Sequence, residues 1–348
     1  MTSFEFGVYS LGERIPLADG QRLSSRGRIE NIIQMGKWAD QAGLDVFGIG
    51  EHHRGDFVTS SYAMILGAIA RETKGIKLTS TLSVISTVDP VRLYEDMATL
   101  DLLANGRAEV FLGRGAFLDS FKLFGADVRQ YDQLFEEKLE LFSQLQEQDK
   151  VTWQGQFRPA LKNAPIAPRP VQQKLPTWIG VGGSPESVER AARLGYKMAL
   201  GVLGGTVDQF KPLTDLYWAV AKQYGHDLNQ LQIAITGHSF VGETGYQTRK
   251  DFLLPYNRYQ EYFAKERGFH FVQTKMSDLE RQSAPEYMLA VGSSDELVEK
   301  ILYQHEQLGQ TRFMGQFDMG GMPLAKVEKA IDLLATDVAP KVRKALRI

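Results

Sequence analysis

Short apolar runs alternate with longer stretches of helical period along the whole chain, and this alternation limits the possible folds more than any other feature. Residues 4–10 (FEFGVYS) read as a strand. Residues 26–42 follow with Ile29, Ile32, Ile33, Met35 and Ala39 near helical spacing, and Gly43 marks the end. The same reading predicts strands at 46–50 (VFGIG), 77–85 (KLTSTLSVI), 108–113 (AEVFLG), 177–181 (TWIGV), 197–203 (KMALGVL), 232–241 (QIAITGHSFV) and 312–317 (RFMGQF). Helices are predicted at 62–72, 90–103, 131–146, from Ser184-Pro185, at 207–224 and at 326–346. Pro90 at the start of one helix and Gly106 beyond its end fit the usual asymmetry of helix termini.

Strands alternating with helices imply parallel pairing through right-handed crossovers. Eight such units in 348 residues match a closed α/β (β/α)₈ TIM barrel, one domain spanning 1–348. An open doubly wound sheet is the competitor. It usually has fewer units and a glycine-rich turn after strand one, where this chain has LGERIPLADGQ. Two stretches break the rhythm. Residues 151–176 hold five prolines and read as an excursion without a regular element. Residues 245–293, rich in aromatics from Tyr246 to Tyr287, follow strand seven, so they are expected over the active face as a lid. The plainer alternative is a helical pair covering the barrel's side.

Composition narrows the function. Apolar residues make up 43% and charged residues 24%, an ordinary globular balance. The absence of cysteine excludes disulfides, thiolate metal sites and cysteine nucleophiles. Forty basic against forty-two acidic residues leave no basic stripe for nucleic acid. The first residues lack a signal-peptide pattern and no run of about 18 apolar residues exists. The expectation is a cytoplasmic protein with no membrane partner.

Barrel active sites are built where strands end. Strand two ends in Glu51-His52-His53, strand four in Gly113-Arg114-Gly115, strand five in Gly182-Gly183-Ser184 and strand seven near His238-Ser239. Paired histidines at that rim point to proton chemistry. They also suggest a metal-dependent hydrolase, but that class needs a His-x-His on strand one and residues 4–10 have none; no metal is expected. In Gly182-Gly183-Ser184-Pro185-Glu186-Ser187 a strand meets two glycines and a Ser-capped helix, leaving free backbone N–H groups for an anion. Arg114 on the neighbouring strand supplies a positive charge, so a phosphorylated ligand is favoured over a plain capped turn.

Glu51-His52-His53, Asp89-Pro90-Val91-Arg92 through Glu95-Asp96 and Leu100-Asp101, Asn105-Gly106-Arg107, Gly113-Arg114-Gly115, and Thr177-Trp178-Ile179-Gly180-Val181-Gly182-Gly183-Ser184 keep one order along the chain. Together with Ala191-Ala192-Arg193-Leu194-Gly195 they resemble the bacterial luciferase-like, flavin-dependent monooxygenases, and within them a widespread bacterial subgroup whose reactions are mostly unassigned. The resemblance implies reduced FMN, or a deazaflavin coenzyme, across the barrel mouth. Its phosphate would lie near Arg114, Gly182, Gly183 and Ser184, with Ser187 as a further contact. It gives His52 the place of a histidine that assists oxygen chemistry at reduced flavin, with His53 and Glu51 orienting it or the flavin ring. It also implies a non-proline cis peptide under the ring at Thr81-Leu82, with Ser83-Val84 as the alternative. Gly113 stands where the luciferase catalytic subunit has cysteine, and Gly182 and Gly183 stand where it has acidic and hydroxyl groups. Long-chain aldehyde oxidation with light emission is therefore not carried over.

The reading that follows is a two-component monooxygenase acting on a small organic substrate with O₂. Because no dinucleotide fingerprint is visible, a separate flavin reductase would supply the reduced FMN. A deazaflavin-dependent dehydrogenase or reductase and a non-catalytic flavin-binding subunit are the alternatives. The resemblance also implies a homo-oligomer.

Overall fold

The computed structural model describes residues 4–17, 19–115 and 117–348. Eight parallel strands close on themselves: β1 (Glu5–Ser10), β2 (Val46–Ile49), β3 (Lys77–Ser80, resuming at Ser83–Val84), β4 (Ala108–Gly113), β5 (Thr177–Val181), β6 (Lys197–Val202), β7 (Ile233–Gly242) and β8 (Arg312–Gln316). Each pairs with its sequence neighbours, and β8 closes the ring on β1 through Glu5 opposite Arg312. The helix before each crossover strand packs its apolar stripe outside the ring, and the interior is a packed core. Among the described residues no helix is long and apolar enough to cross a membrane.

Local chemistry accounts for the helix ends. Ser24 Oγ accepts the Gly27 N–H at 3.0 Å to start helix Ser25–Ala42, and Gly43 ends it in the left-handed region at φ 86°. Asp89 caps helix Pro90–Ala104 by accepting the Val91 N–H at 2.8 Å. Both termini agree closely with the sequence expectation.

Inward positions alternate along each strand. At the lower end of the barrel Arg312, fully buried, donates to Glu5 and Glu109 and lies over the Trp178 ring with 4.1 Å to its centroid. Burial opposes ionisation of Glu109, but Arg312 outweighs it and holds the carboxyl at about 2. Above this layer Tyr9, Phe111, Met314 and Trp178 form the apolar interior.

Three expectations need correction. The third strand is not continuous: it breaks at the cis peptide Thr81-Leu82 before resuming. Residues 151–176 are not without regular structure. Lys150–Trp153 and Leu161–Pro165 form an antiparallel hairpin, in which Val151 and Trp153 are buried and Lys150 and Thr152 exposed. That period-two pattern is only four residues long, so the prolines masked it. The closing helix is two helices, Leu324–Leu333 and Ala339–Leu346, joined by a widened turn over Leu334–Val338. Pro340, which has no N–H to donate, follows directly.

Residues 245–293 fold as helix Gly245–Glu266, helix Met276–Gln282 and strand Ala290–Ser293, which pairs with the upper part of β7. The long helix reaches over the strand ends: Tyr256 and Tyr259 meet His238, and Phe263 packs with Phe57 and Ile15. Its last turn is tied down by an Arg54–Glu266 ion pair.

Candidate functional site

The histidine pair at the end of β2 divides into two environments. His52 is half-buried against Phe57 and Phe117, with ring centroids 4.3 and 5.4 Å away, and its Nε2 is the atom closed off from solvent. Its Nε2 has no hydrogen-bond partner and lies 3.6 Å from where a Cβ on inward-facing Gly50 would stand. Burial first, and then Arg54, push its pKa down to about 3. The ring is therefore neutral at ordinary working pH. His53 turns to the outer rim. Its Nε2 meets Glu51 Oε1 at 2.6 Å, while Glu51 Oε2 accepts the Val84 N–H at 2.8 Å. No hydrogen bond joins either residue to His52, so Glu51 and His53 tie β2 to the resumed part of β3 rather than orient its ring.

The end of β3 also separates its three expected residues. Leu82 projects its side chain over Gly113 and Gly180; a Cβ at either glycine would come within 2.3 or 2.5 Å of Leu82 Cδ2. Thr81 points into the barrel, its methyl against Gly48 and its Oγ1 unpartnered. Ser83 is fully buried and bonds to Ser80 Oγ at 2.8 Å and the Tyr62 hydroxyl at 2.5 Å. These bonds hold its hydroxyl inside the barrel wall.

The structure brings Arg114 to the turn after β5. Ser184 caps helix Pro185–Arg193 by accepting the Ser187 N–H, at 3.4 Å, and the space at Gly182 and Gly183 is open to 4 Å around a notional Cβ. Arg114 Nη2 donates to Ser187 Oγ at 3.1 Å and its Nη1 pairs with Asp132 at 2.7 Å. Ser184 Oγ donates to Glu186 at 2.6 Å. Asp132 and Glu186 thus engage these two side chains, and both are exposed. The Arg114 guanidinium also stacks on Tyr131, 4.8 Å from its centroid, a second restraint on the cation besides Asp132.

Sequence reasoning placed His238 at a strand end without giving it a role, and it passed over Gln316. They lie at one register level on β7 and β8, both buried, and neither side chain has a hydrogen-bond partner. The period-two reading of β7 places Ala234, Thr236 and His238 on one face and could have exposed the first; nothing in the short run RFMGQF marks Gln316.

The luciferase-like monooxygenase family model matches residues 4–311. The chain belongs to that family. It is thus an enzyme of the flavin-dependent oxidoreductase class. It is 22% identical to the oxygenase component of flavin-dependent trigonelline monooxygenase from Acinetobacter baylyi, over 89% of each chain. In fold it is similar to the oxygenating constituent of 3,6-diketocamphane monooxygenase from Pseudomonas putida in complex with FMN. That match has a TM-score of 0.77 and 20% identity, covering 98% of this chain and 99% of the other. It is likewise similar to the coenzyme F420 dependent tetrahydromethanopterin reductase from Methanopyrus kandleri, with a TM-score of 0.71 and 18% identity over 97% and 99% of the two chains.

Proposed function

We propose that this protein is the oxygenase of a two-component system. It would take reduced FMN from a separate reductase and use O₂ on a small organic substrate, acting in the cytoplasm as a homo-oligomer. The observation that carries the reading is the cradle at the β4–β5 rim: open Gly182 and Gly183, the capped helix start, and Arg114 beside Ser187. Its fit to a phosphate is direct, since backbone N–H groups and a guanidinium converge where no Cβ intrudes. Being named as an oxygenase component, the trigonelline relative supports a reductase partner.

Bound flavin would supply the oxygen activation. Arg114, Ser187 and the N–H groups after Gly182 would hold its phosphate. Leu82, seated on Gly113 and Gly180, would support the ring, and Thr81 Oγ1 would offer it a hydrogen bond. His52 would share a proton at Nε2 as a neutral imidazole, because burial disfavours the cation. Residues 245–293, whose tyrosines and Phe263 already lie over the strand ends, would act as the lid that excludes water. The unpartnered Nε2 of His52 speaks against a purely flavin-storing subunit.

The test is an anaerobic titration with reduced FMN followed by absorbance and fluorescence, then admission of O₂ with product analysis. Saturable binding, weakened in Arg114→Met, is the expected result. Failure of reduced FMN to bind while a reduced deazaflavin does would transfer the assignment to a dehydrogenase or reductase; binding neither would end it.

A further inference from the structure

The inner wall of the barrel mouth has two unlike halves. On β2, β4, β5 and β6 the upper inward positions are Gly48, Gly50, Gly113, Gly180, Gly182 and Gly201, which present no side chains. On β1, β8 and β7 the matching level is Tyr9, Gln316 and His238, which stand opposite one another in the strand register. Their direction is fixed from below, because Met314, two residues before Gln316, belongs to the interior cluster with Tyr9, Phe111 and Trp178.

His238 and Gln316 are 2% and 0% exposed, yet both ring nitrogens and both side-chain amide atoms lack partners. Buried polar groups are normally satisfied, so a set of four such atoms on one face calls for a ligand that satisfies them. The roof is aromatic: Tyr259 and Tyr256 meet the His238 ring edge-on at 5.4 and 5.9 Å. The phosphate cradle lies on β4 and β5, across the ring from β8. One ligand thus has its anionic end on one wall, and the opposite wall is left to a second.

We propose that His238 and Gln316 form a neutral hydrogen-bonding subsite that holds the uncharged carbonyl group of the organic substrate beneath the insertion tyrosines. Gln316 Nε2 and one imidazole N–H donate to the carbonyl oxygen; Gln316 Oε1 and the second ring nitrogen remain to accept an adjacent N–H or O–H. Burial holds the imidazole uncharged at neutral pH, and no charged residue contributes to that shift. Glu13 and Asp318, whose charges act on Tyr9 and Tyr259, already hold Arg28 and outnumber Arg267 there, so a carboxylate or sulfonate placed here would be repelled and its desolvation would go unmatched. The substrate class is therefore a neutral carbonyl compound with an apolar body. This rests on the flavin reading only for the identity of the first ligand.

The experiment is saturation-transfer NMR on the full-length protein with cyclohexanone and, as a charged probe of similar size, cyclohexanecarboxylate. The proteins are wild type, Gln316→Met, His238→Leu and His238→Asn. Cyclohexanone should bind the wild type and weaken about tenfold in Gln316→Met and His238→Leu, the loss of one hydrogen bond each, while His238→Asn retains it. The carboxylate should bind at least about tenfold more weakly than the ketone. Reduced-FMN affinity, measured in parallel, should stay within about threefold in all variants, and near-UV circular dichroism checks that each has folded. Gln316→Met preserves volume, so it keeps the test open if His238→Leu fails to fold. Equal binding of the two probes, no ketone binding to wild type, or ketone affinity indifferent to the folded apolar variants would overturn the subsite. So would variants that lose reduced FMN in step with the ketone, since the pair would then read the cofactor. Failure of reduced FMN to bind the wild type would strike the proposed function alone, because the ketone titration needs no flavin.

Discussion

The Leu82 side chain occupies the space that a Cβ on Gly113 would need, with Cδ2 2.3 Å from that position. Gly180 makes the same concession at 2.5 Å, whereas a Cβ on Gly182 would meet nothing within 4 Å. Gly113→Ala and Gly180→Ala should therefore each cost about 1–3 kcal/mol through overpacking. Gly182→Ala should leave the melting temperature unchanged and weaken reduced-FMN binding by about tenfold, because it intrudes on the cradle alone. Differential scanning calorimetry beside flavin titration separates the two effects; a destabilised Gly182→Ala would refute the open cradle.

Arg114 divides its guanidinium between Ser187 and Asp132. Arg114→Met should weaken reduced FMN by roughly 10- to 100-fold, the scale of a charge-assisted contact to phosphate. Asp132→Asn should tighten it several-fold by removing a competitor, with the gain shrinking at high salt. Titrations at two ionic strengths check both, and tighter binding in Arg114→Met would move the phosphate elsewhere.

Much of this was legible in the sequence, for a physical reason. Parallel strands buried on both sides read as apolar runs, and the Pro90 and Gly43 helix boundaries are set by local chemistry, so the barrel and the Ser184-capped turn at residues 182–187 could be placed from residue types alone. What could not be read depends on direction. Ser83 follows Thr81 by two residues and would share its face in a continuous strand; the break between them sends one inward and the other into the wall toward Tyr62. The adjacent His52 and His53 look like a pair but face a phenylalanine cage and a carboxylate respectively. Gln316 takes its meaning from the register with His238, which no local pattern carries.

Because burial holds His52 near 3, the pH profile of kcat/KM should show no ionisation near 6.5 belonging to this ring. His52→Ala should keep reduced-FMN affinity while lowering product formation by about 10²- to 10⁴-fold. A limb near pH 6.5 that vanishes in His52→Gln would mean that the ring titrates freely in the working enzyme.

His238 makes a separate demand on stability. Its folded pKa of about 4 lies below the ordinary 6.5, so its contribution is complete above pH 6.5 and is lost as pH falls toward 4. Between pH 7.5 and pH 5 the wild type should lose about 2 kcal/mol more than His238→Asn in urea unfolding. Glu13, raised to about 7, acts with the opposite sign but is common to both proteins and cancels. Parallel pH dependence in the two would show that the ring is not held neutral.

Arg312→Met would strand Glu5 and Glu109 in the barrel floor. The expected cost is about 3–5 kcal/mol, seen as a lower urea midpoint at neutral pH. An unchanged midpoint would show that the three charges contribute nothing net.

That same layer has a kinetic consequence. With Arg312 bound to two carboxylates and stacked on Trp178, the lower end of the barrel is a stopper. Every molecule that reacts inside must arrive and depart through the upper opening. Traffic through a single port is ordered: whatever seats deepest goes in first and comes out last, and a later arrival bars its escape. An excess of the outer ligand should therefore slow release of the inner one, making the closed floor, far from any reacting atom, the part of the molecule that sets the sequence of turnover.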